Sequence, residues 1–266
     1  PTRMMKGYER VPQLYGKKLS TESEPNSIGA FHFERIYFCS QALKTEAEKA
    51  GFRVAHAEVI YPGIPTDRFY NDIKPGSSVP RKFLIVSRLS AQSGVMTALE
   101  ALKLALKNNA QASLTICGKG ESEQMAQLRS FVIQHSLPVE FVSMSNQQKE
   151  VAQVYRRHDA YIYCTEWDEP FAVAPLEAMA SGLPIIAARS GGVSELLRAG
   201  QNGWAYTPGD PVELASRIME LQMQPALRLQ MAEAAQADVM NQFSESFMLD
   251  QIESYLNTTL EVWRND

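Results

Sequence analysis

From Arg81 onward, short continuous apolar runs alternate with longer amphipathic ones, and that alternation restricts the chain to few folds. KFLIVSRL, ASLTICGKG, VEFVSM, AYIYCTE and LPIIAAR are uninterrupted apolar segments of strand length, the pattern of strands buried on both faces. GWAYTP is a shorter sixth. The intervening segments have helical spacing. GVMTALEALKLALKNN puts Val95, Leu99, Leu102 and Leu106 on one side, and ESEQMAQLRSFVIQHS opens with acidic residues that suit a helix N-terminus. NQQKEVAQVYRRH, GVSELLRAG (a short helix ending at Gly200), PVELASRIMELQMQ and LRLQMAEAAQADVMNQ complete the helices. Right-handed crossovers between such strands give a parallel sheet covered on both faces. The predicted fold class is α/β, a doubly wound parallel sheet. Ligands of such sheets bind outside the carboxyl ends of the strands, near the switch in strand order. Here those ends are Ser87-Arg88, Gly118-Lys119-Gly120, Thr165-Glu166 and Ser190-Gly191-Gly192, the expected functional rim.

Composition sets limits on partners. The 266 residues are 45% hydrophobic, enough for a sizeable core, and the net charge of −4 gives no reason to expect a nucleic-acid partner. The one local basic excess, Arg3, Lys6, Arg10, Lys17 and Lys18 against Glu9, reads as a solvated surface. A peripheral membrane-facing or partner-facing patch is the alternative. Cys39, Cys117 and Cys164 each lie in an apolar run without metal spacing, so buried free thiols in a reducing, cytoplasmic compartment are expected. No apolar run reaches the roughly eighteen residues of a membrane span, and no signal peptide is read. Pro1 rather than methionine opens the chain, which implies processing, cropping or fusion.

The front of the chain is organised differently. Residues 1–28 have weak periodicity, FERIYFCSQAL reads as a strand entering a helix, AEVIYPGIPTDRFY as a strand with a Pro/Gly turn, and IKPGSSVPRK as a linker. So short a front cannot build a second doubly wound domain, which needs about 100 residues or more. At the other end, SESFMLDQIESYLNTTLEVW is an amphipathic helix with Phe247, Ile252, Tyr255, Leu256, Leu260 and Trp263 available for packing.

The stretch DEPFAVAPLEAMASG carries the chemistry. Pro175 suits a helix start, and Gly182 followed by Pro184 stops one, so a helix is predicted from about Ala174 to Ser181. Its unpaired first amides and its dipole make an anion site on the rim. Glu169 lies in the loop before it and Glu177 on its first turn. A carboxylate can accept two hydrogen bonds from a vicinal diol. Two such acceptors around an anion hole describe a site for a sugar joined to a phosphate. The bland alternative is that both glutamates only favour the helix N-terminus electrostatically. His32, His56, His135 and His158 read as structural or surface groups, and the adjacent His158-Asp159 pair as no dyad.

EPFAVAPLEAMASGLPIIAARSGGVSELL resembles the signature of retaining glycosyltransferases of family 4, on the GT-B fold. The matching residues are Glu169, Phe171, Glu177, Gly182, Pro184, Gly191, Gly192 and Glu195. SRLSAQSG, ICGKG and VIYPGIPTDRF resemble further motifs of that family, so the resemblance runs from about Phe31 to Asp210. It implies a Rossmann-like donor-binding half of a GT-B enzyme at 81–243. Residues 1–55 would be a remnant of the N-terminal acceptor domain, 56–80 the linker and 244–266 a crossing helix. It implies transfer of a hexose from a UDP- or GDP-linked sugar with retention, no other cofactor and no metal. Glu177 would hold the ribose and Glu169 the hexose. The amides of Phe171, Ala172 and Val173 would meet the sugar and diphosphate, and Arg88 would neutralise the leaving diphosphate. Gly118 and Gly120 would admit the nucleotide closely, and backbone near Ser143 to Ser145 would flank the base.

Three departures from that pattern bear on activity. Ser93 stands where the family has a second cation, a loss that could cost about 2–4 kcal/mol of transition-state stabilisation. Ala172 and Ser87 stand where the family has glycines, and the acceptor domain is nearly absent. A missing N-terminal domain, a partner chain or a homodimer would have to complete the cleft. The alternative is a non-catalytic nucleotide-sugar-binding or interaction subunit. A sugar-nucleotide epimerase shares the architecture but fits the motif order less well.

Overall fold

The protein is described by a computed structural model covering residues 36–51, 54, 57–73, 79–143 and 148–265, with backbone only for 148–150 and 262–265. The basic stretch within residues 1–20, the 1–28 segment, His32, His56, Ser145 and the Trp263 side chain therefore lie outside what is described.

Six strands form one parallel sheet: β3 (Lys82–Val86), β4 (Ser113–Cys117), β5 (Val139–Val142), β6 (Ala160–Tyr163), β7 (Ile185–Ala188) and β8 (Trp204–Tyr206), in the order β5-β4-β3-β6-β7-β8. The chain winds outward from β3 to β5, crosses back to β6 and winds outward the other way. The switch point therefore lies between β3 and β6. Strand residues alternate between two apolar cores, as a pleat requires. Phe83 and Ile85 face one cluster and Leu84 the other; Ile162 and Tyr161 divide in the same way.

On one face pack α3 (Val95–Lys107), α4 (Ser122–Gln134) and α8 (Pro211–Met223), contributing Leu99, Leu102, Leu128, Leu214 and Ile218. The other face carries α5 (Gln148–Arg156), α6 (Ala174–Ala180) and most of α9 (Pro225–Gln242), with Tyr155, Leu176, Met179, Ala235 and Val239. The predicted boundaries at 193–200 need correction. Helix α7 spans only Val193–Leu196, because the buried Asn202 side chain takes over the next turn. Its amide oxygen accepts from the Arg198 N–H at 2.7 Å and its amino group donates to the Leu196 carbonyl at 2.8 Å.

Ahead of the sheet, β1 (Tyr37–Phe38) pairs in parallel with β2 (Glu58–Val59), and α1 (Gln41–Lys49) lies between them in sequence. The predicted Pro/Gly turn contains a short helix, α2 (Thr66–Phe69). Ile64 forms a bridge with Ser244, donates its N–H to the Phe243 carbonyl at 2.9 Å and accepts from the Glu245 N–H at 2.8 Å. That fastens this segment to the start of α10 (Glu245–Asn265). The packing face expected of α10 is only partly used. Tyr255 is buried and meets Tyr37 edge-on at 5.6 Å, whereas Phe247, Leu249, Leu256 and Leu260 are exposed. No helix among the described residues is long and apolar enough to cross a membrane. All three cysteines are free thiols, but only Cys117 and Cys164 are buried; Cys39 is half-buried beside the two-stranded β1-β2 pair rather than within the main sheet.

Candidate functional site

The loops after β3 and β6 meet at the switch point. The Glu166 N–H donates to the Gln92 carbonyl at 3.0 Å, and the Cys164 thiol to the Ser93 carbonyl at 3.2 Å. Gly94, at φ +68°, lies so close that an added Cβ would sit 1.6 Å from the Cys164 carbonyl oxygen. Only glycine fits both the backbone and the space there.

Ser93, counted among the substrate-binding residues because the resemblance aligns it with the second cation of the diphosphate clamp, sits inside this junction. It is 4% exposed, and its hydroxyl donates to the Ser90 carbonyl at 2.7 Å. Arg88, five residues earlier, is exposed on the rim, and its charge acts on Glu169. Gly118 and Gly120 answer to protein backbone: an added Cβ would lie 1.9 Å from the Ser87 carbonyl oxygen and 2.3 Å from that of Leu89. The two strand ends run together past the sheet, with the Leu89 N–H donating to the Lys119 carbonyl at 2.9 Å.

Glu169 and Glu177 are each held by a tyrosine that the sequence reading did not single out. The Tyr163 hydroxyl, at the end of β6, donates to Glu169 Oε2 at 2.8 Å. The Tyr155 hydroxyl, on α5, donates to Glu177 Oε2 at 2.7 Å. Burial pushes both carboxyls above the ordinary range. The tyrosine hydroxyl opposes this at each, and the Arg88 charge also opposes it at Glu169. For Tyr163 a signal was present: a tyrosine in a strand buried on both faces calls for an acceptor for its hydroxyl, whereas Tyr155, on α5, carried none of that kind.

Between the glutamates the chain turns into α6, with Pro175 at its second residue and Gly182 at φ +71° just beyond its end. The first amides of such a helix have no intrahelical acceptor. Phe171 is half-buried, with its ring 5.7 Å from Tyr61 and 6.3 Å from Phe243. Ala172 is 6% exposed and belongs to the core, so its methyl group points into the protein. Val173 is exposed on the rim.

The Gly191-Gly192 turn cradles the Glu169 loop. The Gly191 N–H donates to Asp168 Oδ1 at 3.2 Å and the Gly192 N–H to the Glu169 carbonyl at 2.9 Å. The His158-Asp159 pair has other work. Asp159 Oδ2 accepts from the Arg81 and Lys82 N–H groups at 3.1 and 3.0 Å, and His158 Nδ1 lies 2.6 Å from the Val154 carbonyl oxygen.

Known proteins resemble this chain in sequence and fold. The chain is 28% identical over 213 residues to a glycogen synthase of Mycobacterium tuberculosis, covering 79% of this chain and 50% of that protein. It is 27% identical to the amylovoran biosynthesis glycosyltransferase AmsK of Erwinia amylovora, covering 73% and 49%. The chain thus spans about half the length of the curated relatives it matches. HepE of Anabaena, crystallised with UDP-glucose, superimposes with a TM-score of 0.75 at 26% identity, covering 84% of this chain and 63% of that one. The C-terminal domain of a group 1 glycosyl transferase from Francisella tularensis is covered in full, along 69% of this chain, with a TM-score of 0.61 at 21% identity, a likeness of fold. The family model for glycosyl transferases group 1 matches residues 70–238, well over half the chain, and the chain belongs to that family.

Proposed function

We propose that this chain is the donor-binding half of a retaining hexosyltransferase of family 4 that takes its sugar from a nucleoside diphosphate. One observation carries the reading. Two carboxylates flank the start of a rim helix at the switch point, and each is oriented by a buried tyrosine hydroxyl. Glu177 holds the ribose diol, Glu169 the hexose hydroxyls, and the amides of Phe171, Ala172 and Val173 meet the diphosphate between them. Arg88 stabilises the charge that develops on the leaving diphosphate. That HepE was crystallised with UDP-glucose supports a UDP-linked donor. The acceptor side comes from a further domain, a partner chain or a second copy. The exposed Phe247, Leu249, Leu256 and Leu260 on α10 support such a contact. The free thiols suit a reducing, cytoplasmic setting.

Calorimetry with UDP, GDP and ADP, and with their glucose conjugates, tests the reading. Binding of one nucleotide that disappears in Glu177→Ala is expected. No binding of any of them by the folded native chain would end it. A second reading, a nucleotide-sugar-binding subunit without turnover, is favoured by Ser93. This residue is buried and hydrogen-bonded where the family has a cation. Tight binding of the donor with no hexose transferred even when the acceptor side is supplied would select that reading.

A further inference from the structure

Glu195 closes the G-G-x-x-E motif, yet its carboxylate faces the front of the chain. Oε2 accepts from the Gln41 N–H at 2.9 Å and Oε1 from the Ala42 N–H at 2.6 Å. Oε2 also accepts from the Tyr61 hydroxyl at 2.8 Å. Gln41 and Ala42 are the first two residues of α1, whose opening amides have no internal acceptor. A carboxylate there makes charge-assisted hydrogen bonds and meets the positive end of the helix dipole. Ser40 completes the cap, its hydroxyl accepting from the Leu43 N–H at 3.0 Å.

The same cap presses on the turn that carries the candidate site. Ser40 is fully buried, and a Cβ placed on Gly192 would lie 3.0 Å from the Ser40 Cβ and 2.1 Å from the Pro170 carbonyl oxygen. The Gly191-Gly192 turn is thus squeezed between α1 and the loop from Asp168 to Pro170, and it donates both its N–H groups to that loop. Tyr61 makes a second link. From Glu195 its ring reaches Phe171 at 5.7 Å and Phe243 at 5.6 Å.

We propose that Glu195 is a positioning residue: by fastening α1 to the Gly191-Gly192 turn, it sets the main-chain position of Glu169. The consequence for sugar binding rests on the donor-site reading above; the mechanical coupling does not.

Residue-resolved hydrogen exchange on the native chain, Glu195→Ala and the milder Glu195→Gln tests the coupling without ligand. In Glu195→Ala, exchange at Gln41 and Ala42 rises roughly tenfold, and exchange at Gly191 and Gly192 rises with it. Amides of β4 keep their protection, which shows that the sheet is intact. Glu195→Gln retains a neutral acceptor and gives an intermediate rise at all four positions, which keeps the test available if the alanine variant fails to fold. A rise at 41 and 42 with none at 191 and 192 would reduce Glu195 to a local staple and overturn the proposal. No change at any of the four would overturn it as well.

Calorimetry separates this from the donor-site reading. Glu195→Ala is expected to lose the extra affinity of a nucleotide sugar over its free nucleotide while the nucleotide itself binds as before. If the native chain binds neither, the donor-site reading fails, and the exchange data still decide the coupling.

Discussion

Gly191→Ala tests the site through its backbone. Gly191 has φ +49°, a left-handed conformation that costs an alanine about 1–2 kcal/mol. The added Cβ would also lie 2.1 Å from the Glu169 carbonyl oxygen and 2.7 Å from the Glu169 nitrogen. Real Cβ contacts do not fall below 3.0 Å, so the Glu169 main chain must retreat by roughly 1 Å. Gly200→Ala is the control, with φ +81° and nothing within 4 Å of the added atom; it carries the backbone strain without the clash. If Glu169 hydrogen-bonds the hexose, displacing it removes a charged hydrogen bond worth about 1.5–3 kcal/mol, roughly ten- to a hundredfold in Kd. Calorimetry should show Gly191→Ala binding the nucleotide sugar that much more weakly and the free nucleotide nearly as before, with Gly200→Ala like the native chain in both. Native affinity for the nucleotide sugar in a folded Gly191→Ala protein would refute the reasoning. So would an equal loss in Gly200→Ala.

Other expectations follow from the same geometry. Burial raises the Glu177 carboxyl above its ordinary value of 4.5, so its share of stability is fully present below that pH and is lost as the pH rises through the folded value. Glu177→Gln should therefore raise the Tm near neutral pH and reduce its decline above pH 4.5. Some decline should remain, because Glu169 is shifted the same way. A lower Tm than native at pH 7 would count against the burial argument. Gly94→Ala, with its Cβ 1.6 Å from the Cys164 carbonyl oxygen, should destabilise by several kcal/mol in denaturant unfolding and exceed Gly200→Ala by a wide margin. Asp210→Ala removes the cap of α8, whose Oδ1 accepts from the Val212 and Glu213 N–H groups at 2.9 and 3.0 Å, and should cost about 1 kcal/mol with nucleotide affinity unchanged.

The sheet was legible because its strands are buried on both faces and read as unbroken apolar runs; KFLIV and AYIY sit at its centre. The rim was legible because β3 and β6 end in polar residues at the switch point. Less could be read where a side chain outside the element decides. The end of α7 depends on Asn202, which in sequence is only a turn residue before a glycine. The glycines of ICGKG pointed to close approach, but the partner that approaches is the 87–89 backbone, aligned by strand register. The role of Glu195 was hidden most deeply. Its contacts with Gln41 and Ala42 span 154 and 153 positions, and no local pattern encodes a cap supplied from so far away.

The departures at 172 and 93 are different in kind, and the difference bears on what the site can do. At 172 the extra methyl group is absorbed by the apolar core beside Leu176, so the rim keeps the backbone a glycine would give it. At 93 the change is in charge, and the surrounding structure is built around it. The Ser93 hydroxyl closes onto Ser90, its carbonyl accepts from Cys164, and Gly94 is pinned against the end of β6. A lysine stem from that position would have to leave a closed junction to bring its charge to the rim. In the proposed donor site, ground-state binding of a nucleotide sugar draws mainly on Glu177, the α6 amides and shape, none of which position 93 supplies. Stabilising a departing diphosphate draws on cations, and in the proposed site Arg88 would supply its charge without a lysine at 93. On that proposal the geometry favours retained donor binding with slowed departure of the diphosphate, so loss of turnover should exceed any loss of affinity.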